Sequence, residues 1–355
     1  MTVAHKAGKS GTIAADRLHA MVVSIFESAG SVTREADLIA THLIEANLRG
    51  HDSHGVGVVP GYLRSIRAGE LIPNQSLSVL LDTGAMLLCD AGHGAGQVMA
   101  HEAMVLGMAR AREVGTCIVS LRDSYHIGRI GHWAEQCAAG GLVSLHFVNV
   151  VSEPAVAPFG GTKPRLGTNP FAAGFPRSDG PPVIVDFATS RWAVGKVRVA
   201  FNKGEKVPPG TLLDADGKPT LDASVLFGQP PGALVGFGEH KGFGLSLACE
   251  LLAGALPGGK TQKGPRSSAG SFNSMFSVIV SPERLGTAGP FRERLEAVLN
   301  WVLSENDGAG TNIRVPGEPE LATRDERLRG GVPVDGETLR QLLAAAQDAG
   351  APVNL

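Results

Sequence analysis

The chain is poor in aromatic side chains, which make up 5% of its 355 residues, and it holds only four cysteines. Cys89, Cys117, Cys137 and Cys249 lie far apart and form no CxxC pair. That spacing excludes a disulfide framework and a zinc knuckle, and it fits a reducing cytoplasm. Cys117 and Cys249 fall in apolar runs and read as small buried hydrophobes. No stretch approaches 18 unbroken apolar residues, so no transmembrane helix is expected. Charge of one sign is also missing: 32 basic and 34 acidic residues leave a formal net charge of -2. Nothing in that balance implies nucleic acid or a membrane as partner. The first residues, MTVAHKAGKSGTIAADRL, carry basic side chains but lack the apolar core of a signal peptide. GHGAGQ does not match GxGxxG, and GFGEHKGFG does not match GxxxxGK[ST], so neither glycine-rich piece is a standard dinucleotide or phosphate-loop fingerprint.

Glycine and proline, by contrast, are abundant, at 47 and 22 residues. They imply many turns and close backbone approaches. With 43% hydrophobic residues the chain is an ordinary globular sequence, long enough for two or three domains. Leu18, Met21, Val22, Ile25, Phe26 and Ala29 recur at helical spacing, and Gly30 stops that helix. Thr33 is placed to cap a second helix with Leu38, Ile39, Leu43 and Ala46 as its stripe. A third runs around Val59 to Ala68. After about residue 76 the period changes. SLSVLLDT and AMLLCDA read as strands joined by a turn, and GQVMAHEAMVLGMARAREVG as a long helix. The small stripe of that helix (Ala100, Ala103, Gly107, Ala111) predicts close packing. TCIVSL, LVSLHFVNV, PPVIVDF and SMFSVIV read as further strands, with a helix near Ile130 to Ala139. Residues 200–234 read as an irregular excursion. GFGLSLACELLAGAL is expected to be a deeply buried helix, and helical patterns with charged faces return from about residue 290. The division expected is a helical domain from 1–75 plus 290–355 around a central α/β domain at 76–289.

Several short stretches carry chemistry. HDSHGVGVVPGY begins where a helix ends, and loops held by rigid elements commonly hold catalytic groups. His54 titrates near neutrality and can give or take a proton, while Ser53 beside it can hydrogen-bond a substrate oxygen. The bland reading is a polar helix terminus. His51 and His54 also form HxxH, which with His126, His132 or His146 would be a metal set, but HExxH is absent. No metal is expected. His126, in SYHIGRIGHW, follows a strand and precedes a helix, where α/β proteins often hold ligands. GHGAGQ resembles a phosphate loop without matching one. Lys241 stands before a glycine and an apolar helix, which makes an anion site. VDFATSR ends a buried strand in Asp186, Thr189 and Ser190, residue types suited to ribose or phosphate.

Together DSHGVG…Y, SYHIGRIGHWAEQCAAGGLVS, VAPFGG, GTNPFAAGFP, DFATS, HKGFGLSLACELLAGAL and PGE, in this order, resemble the malate/L-lactate dehydrogenase family of the non-Rossmann type. Ureidoglycolate, sulfolactate, diketogulonate and cyclic-imine enzymes also belong to it. The likeness runs from about residue 12 to 350 and is strongest to the hydroxycarboxylate dehydrogenase B branch. It implies an α/β (α+β) fold: a non-Rossmann, nicotinamide-binding mixed sheet with a helical domain built from both chain termini. It implies NAD or NADP as cofactor, a 2-oxo/2-hydroxy acid substrate, and a homodimer with its pocket near the subunit interface. By the same likeness His54 is the proton donor, Ser53 its hydrogen-bonding neighbour, and His126 a wall of the pocket. Asp186, Thr189, Ser190, Lys241, Gly242, Gly317 and Glu318 are implied as cofactor contacts. Reduction of cyclic imine 2-carboxylates is the alternative, and a metal-dependent hydrolase a more distant one. One departure bears on substrate choice: Val58 and Gly61 stand where many members have arginines, one of which can clamp a carboxylate. Arg49, Arg129 and Arg191 are candidates to replace it.

Overall fold

The computed structural model describes residues 11–265, 270–305 and 312–352. Residues 1–10 of the N-terminal stretch read above lie outside the described residues, as do 306–311 and 353–355 of the expected helical domain. Strand β1 (Gly11–Ile13) opens the chain, followed by α1 (Ala15–Ser28) and α2 (Thr33–Leu48). Leu18, Met21, Val22, Ile25 and Phe26 of α1 are all buried, as the periodicity requires. Thr33 does not cap α2. Val32 holds the cap position, its amide donating to Asn74 Oδ1 at 2.8 Å, and Thr33 Oγ1 turns to Glu27 at 2.6 Å. Asn74, in a distant loop, thus anchors the start of α2 through the Val32 amide, and no side chain caps its first turn.

The chain continues through α3 (Val59–Arg67), β2 (Ser78–Asp82), β3 (Met86–Asp90), α4 (Gly96–Val114), β4 (Thr116–Tyr125), α5 (Gly131–Ala139), β5 (Val143–Val151), β6 (Phe171–Phe175) and β7 (Val183–Phe187). Among the described residues the main sheet has seven strands, joined late by β11 (Phe272–Val280), in the order β2-β3-β4-β11-β5-β6-β7. β3 and β4 are parallel, while β11 inserts antiparallel between β4 and β5. The sheet is therefore mixed. The small stripe of α4 has a direct cause. A Cβ on Gly107 would stand 2.4 Å from Val119 Cγ2 and 3.0 Å from Ile279 Cδ1, so the helix lies directly against the side chains of β4 and β11.

Residues 200–234 are less irregular than expected. α6 (Val194–Lys203) is followed by the very short β8 (Leu212–Leu213), β9 (Pro219–Thr220) and β10 (Ala233–Leu234), which form their own sheet. Val156, Leu166, Val197, Ala200, Leu212, Ala223 and Leu234 close a second small core. Two-residue strands carry too little alternation to be seen in sequence.

α7 (His240–Cys249) runs into a π-helical turn at Glu250–Ala255. This apolar element is not deeply buried in the single chain: Leu251 is 52% and Leu256 64% exposed, with Leu247 beside them on the surface. α8 (Ala288–Leu303) buries no residue and is tied to the segment after β6 by the Arg177–Glu296 pair at 2.8 Å. α9 (Glu318–Gly330) packs on α2, β12 (Val332–Val334) pairs with β1, and α10 (Gly336–Ala349) packs on α1 and α3. One continuous core joins these terminal helices to the sheet, from Leu18 through Val119 and Trp133 to Ala346. No helix among the described residues is long and apolar enough to cross a membrane.

Candidate active site

α2 ends just before two 3-10 turns, Asp52–His54 and Val56–Val58, and Gly50 makes the exit at φ +83°. Asn47 ties the loop from below. Its Nδ2 donates to Asp52 Oδ1 at 2.6 Å, and its Oδ1 accepts the Val56 amide at 2.8 Å. A Cβ on Gly55 would fall 2.1 Å from that Oδ1, so only glycine lets the loop approach so closely. From α9, Arg327 donates to both oxygens of Asp52, at 2.6 and 3.1 Å, and to the Asn47 carbonyl. His51 faces Glu320 of α9 at 3.7 Å. The far end of the chain thus holds the loop that carries Ser53 and His54.

Ser53 Oγ lies 3.0 Å from His54 Nδ1. The His54 ring stacks on His126 with centroids 5.7 Å apart and planes within 17°. Burial lowers the His54 pKa to about 3, with His126 and His51 adding to the shift and Asp186 opposing it. Burial likewise lowers His126 to about 4. Both rings are therefore neutral at pH 7 in the free protein. Behind His126, Tyr62 Oη lies 2.6 Å from Nδ1, and Gln97 Nε2 donates to the same oxygen at 2.8 Å.

Asp186 ends β7 beside the start of α5. Its Oδ2 accepts the Gly131 amide at 3.0 Å and faces Arg129 at 3.4 Å. Arg129 is only 3% exposed and also grips Glu135 at 2.7 Å, while Arg49 lies 3.3 Å from Glu135 and 3.4 Å from Glu45. Arg49 and Arg129 thus already hold carboxylates of the protein. Arg191 is exposed, its guanidinium reaching the Gly210 carbonyl at 3.5 Å. The chain leaves β7 toward α6, where a Cβ on Gly195 would stand 2.6 Å from Ser53 Cβ. The first turn of α6 therefore rests on Ser53.

The remaining expected residues surround this strand end. Thr189 Oγ1 donates to the Thr168 carbonyl at 2.8 Å and Ser190 Oγ to the Trp192 carbonyl at 2.8 Å. Gly242 packs where a Cβ would sit 2.8 Å from the Thr189 carbonyl. Lys241 is exposed in the first turn of α7, a turn with no acidic residue and no side-chain cap. Gly317, at φ +99°, lies against Ile184 of β7, and Glu318 accepts the Val315 amide at 2.9 Å. Among the described residues no three His, Cys, Asp or Glu side chains come together to hold a metal.

Sequence reasoning assigned no role to Asn47, Tyr62, Gln97 or Arg327. Tyr62 and Gln97 stood inside quoted motifs, DSHGVG…Y and GHGAGQ, and that was the available signal. Asn47 and Arg327 left none, because their partners are decided by packing between α2 and α9.

A serine-histidine pair thus stands against a second histidine beside the mixed sheet, and the likeness to known proteins puts this chain among the oxidoreductases of hydroxy acids. The malate/L-lactate dehydrogenase family model matches residues 13–343, and the chain belongs to that family. It is 46% identical over 341 residues to hydroxycarboxylate dehydrogenase B of Escherichia coli K12, covering 95% of this chain and 94% of that protein. Its fold superposes on the sulfolactate dehydrogenase of Methanocaldococcus jannaschii with a TM-score of 0.88 at 28% identity, over 97% and 98% of the two chains. It also matches the Δ1-piperideine-2-carboxylate reductase of Pseudomonas syringae pvar. tomato, with a TM-score of 0.85 at 31% identity over 95% and 100%.

Proposed function

We propose that the protein is an NAD(P)-dependent 2-hydroxycarboxylate dehydrogenase in which His54 moves the proton. The observation that carries this is the Ser53–His54 pair, held rigidly by α9 and stacked on His126. When bound, the reduced nicotinamide supplies the reducing electrons. The carbonyl oxygen then gains negative charge, and His54 gives it a proton while Ser53 shares the oxygen. In oxidation the neutral His54 is ready as base. In reduction it must first take up a proton, which the Asp186 carboxylate and an incoming substrate carboxylate both favour.

The donor set suits a dinucleotide. Lys241 in the first turn of α7 offers its charge to a pyrophosphate, while the amides of residues 241–243 are spent on backbone carbonyls. Thr189 and Ser190 spend their hydroxyl protons on backbone carbonyls, so they serve mainly to shape the strand end beside Asp186, with Gly242, Gly317 and Glu318 around it. Lys241→Ala is expected to weaken cofactor binding and to flatten its dependence on salt, because a charge facing an anion is lost. Fluorescence titration of NADH and NADPH at two ionic strengths measures this, and unchanged affinity would make Lys241 structural. We further propose a homodimer seated on the exposed Leu247, Leu251 and Leu256, and residence in the cytoplasm, which the four free cysteines suit.

Val58 and Gly61 leave that side of the pocket apolar, and Arg49 and Arg129 are already engaged. An apolar wall gains about 25 cal/mol per Å² of ligand surface it buries. A second carboxylate there would lose its water without gaining a partner. Branched or aryl 2-oxo acids are therefore expected to exceed oxaloacetate in kcat/KM by about tenfold, a difference worth about 1.4 kcal/mol. A panel of 2-oxo acids with each reduced nicotinamide tests both the activity and this preference. A tenfold lead for oxaloacetate would show that another cation closes the pocket. The likeness to the piperideine carboxylate reductase keeps cyclic imines in the same panel as the second reading.

A further inference from the structure

The hydrogen bonds behind His126 run in one direction. Gln97 is buried in the first turn of α4, and the nitrogen of its amide, which can only donate, faces Tyr62 Oη at 2.8 Å. Tyr62 therefore receives there and keeps its own proton to give. Two acceptors stand within reach, His126 Nδ1 at 2.6 Å and the His126 carbonyl at 3.4 Å. The shorter contact takes the proton. Turning the Gln97 amide round would reverse the chain, but it would leave a buried NH₂ in the place where Oε1 now has no partner. A buried donor without a partner is rarer than a carbonyl without one. Burial keeps the His126 ring neutral, so its single proton must lie on Nε2.

We propose that Gln97 and Tyr62 are positioning residues that fix His126 as its Nε2–H tautomer, so that this histidine always presents a hydrogen-bond donor to the substrate. A fixed donor beside His54 favours a reacting group that accepts, such as a keto or carboxylate oxygen. It opposes a protonated cyclic imine, which brings an N–H of its own and leaves two donors face to face. The relay thus selects oxo acids over imines. Its effect on substrate choice rests on the dehydrogenase activity proposed above, whereas the tautomer itself does not.

The test is a long-range proton–nitrogen correlation spectrum of the full chain labelled with ¹⁵N histidine, recorded near pH 7 without substrate or cofactor. His126 is assigned by the signal lost in His126→Asn. The expected result is a protonated Nε2 and a bare Nδ1. A protonated Nδ1, or an averaged mixture, overturns the relay. In Tyr62→Phe, which keeps the ring, the signal is expected to move to a mixture of tautomers. kcat/KM for a 2-oxo acid should fall about tenfold, as for a lost hydrogen bond, and the oxo-to-imine ratio should fall with it. An unchanged tautomer in that variant also overturns the proposal. If Tyr62→Phe does not fold, the spectrum of the unaltered protein still decides. Failure to reduce any 2-oxo acid would remove the proposed activity, and the substrate-free spectrum would report the tautomer independently.

Discussion

His54→Ala is expected to lower turnover by roughly 10² to 10⁴, the usual contribution of a positioned acid–base group. The loop that carries it is fixed by Asn47 and Arg327 through Asp52 and Val56, none of which the substitution touches. The variant should therefore fold, and cofactor affinity should hardly change. The loss should appear in kcat and kcat/KM together, because the proton is needed as the oxygen becomes charged and not for binding alone. Steady-state kinetics in both directions, with a separate cofactor titration, measures it. Near-normal turnover in His54→Ala would end the assignment and shift attention to His126 and Asp186.

Acid should unfold this protein early. Five histidines, His42, His54, His126, His132 and His146, are all held below their ordinary pKa, and burial is the first cause in each. His54, His132 and His146 are lowered to about 3 and His126 to about 4. The sign follows from which state binds more protons. Above about pH 6.5, the unfolded value, both states are neutral and pH has no effect through these groups. As pH falls below it, the unfolded chain takes up protons that the native rings refuse, so stability falls toward the folded values. His54 and His126 are partly exposed and count for less. His42 and His146 are almost wholly enclosed. At about 1.4 kcal/mol per proton per pH unit, His146 alone removes on the order of 2 kcal/mol between pH 6.5 and 4.5, and His42 acts in the same direction. Urea unfolding followed by circular dichroism at pH 7, 6 and 5 should show the midpoint dropping at each step. A midpoint that stays level down to pH 5 would mean the native state accepts these protons after all.

Much of the architecture was legible because it is local. Leu18 through Phe26 repeat at helical spacing, and their burial on one face of α1 follows from that spacing alone. The β4 strand and the α5 helix around His126 were equally visible. Ser53 and His54 were picked out because proton-carrying side chains after a helix end have few other uses. The excursion near 200–234 was harder, since β8 to β10 have two residues each and its core is assembled from both flanks. The apolar run from Gly242 to Leu256 promised burial, but hydrophobicity says only that a surface should be covered. It does not say whether the same chain covers it.

By itself the sequence determined which groups are available: a serine-histidine pair, a second histidine after a strand, an aspartate at a strand end, a lysine at a helix start, and no arginine at 58 or 61. Composition, periodicity and motif order are properties of neighbours along the chain, and they survive without coordinates. Only the tertiary structure decided what these groups can do. Asp186 answers His54 and Arg129 because β7 ends beside α5. Arg327 reaches Asp52 across 275 residues because α9 packs on α2. Gln97 and Tyr62 direct the His126 proton because α4 and α3 meet behind the ring. Those contacts form only when a shared core brings distant segments within hydrogen-bond reach, and no local pattern encodes which donor then faces which acceptor.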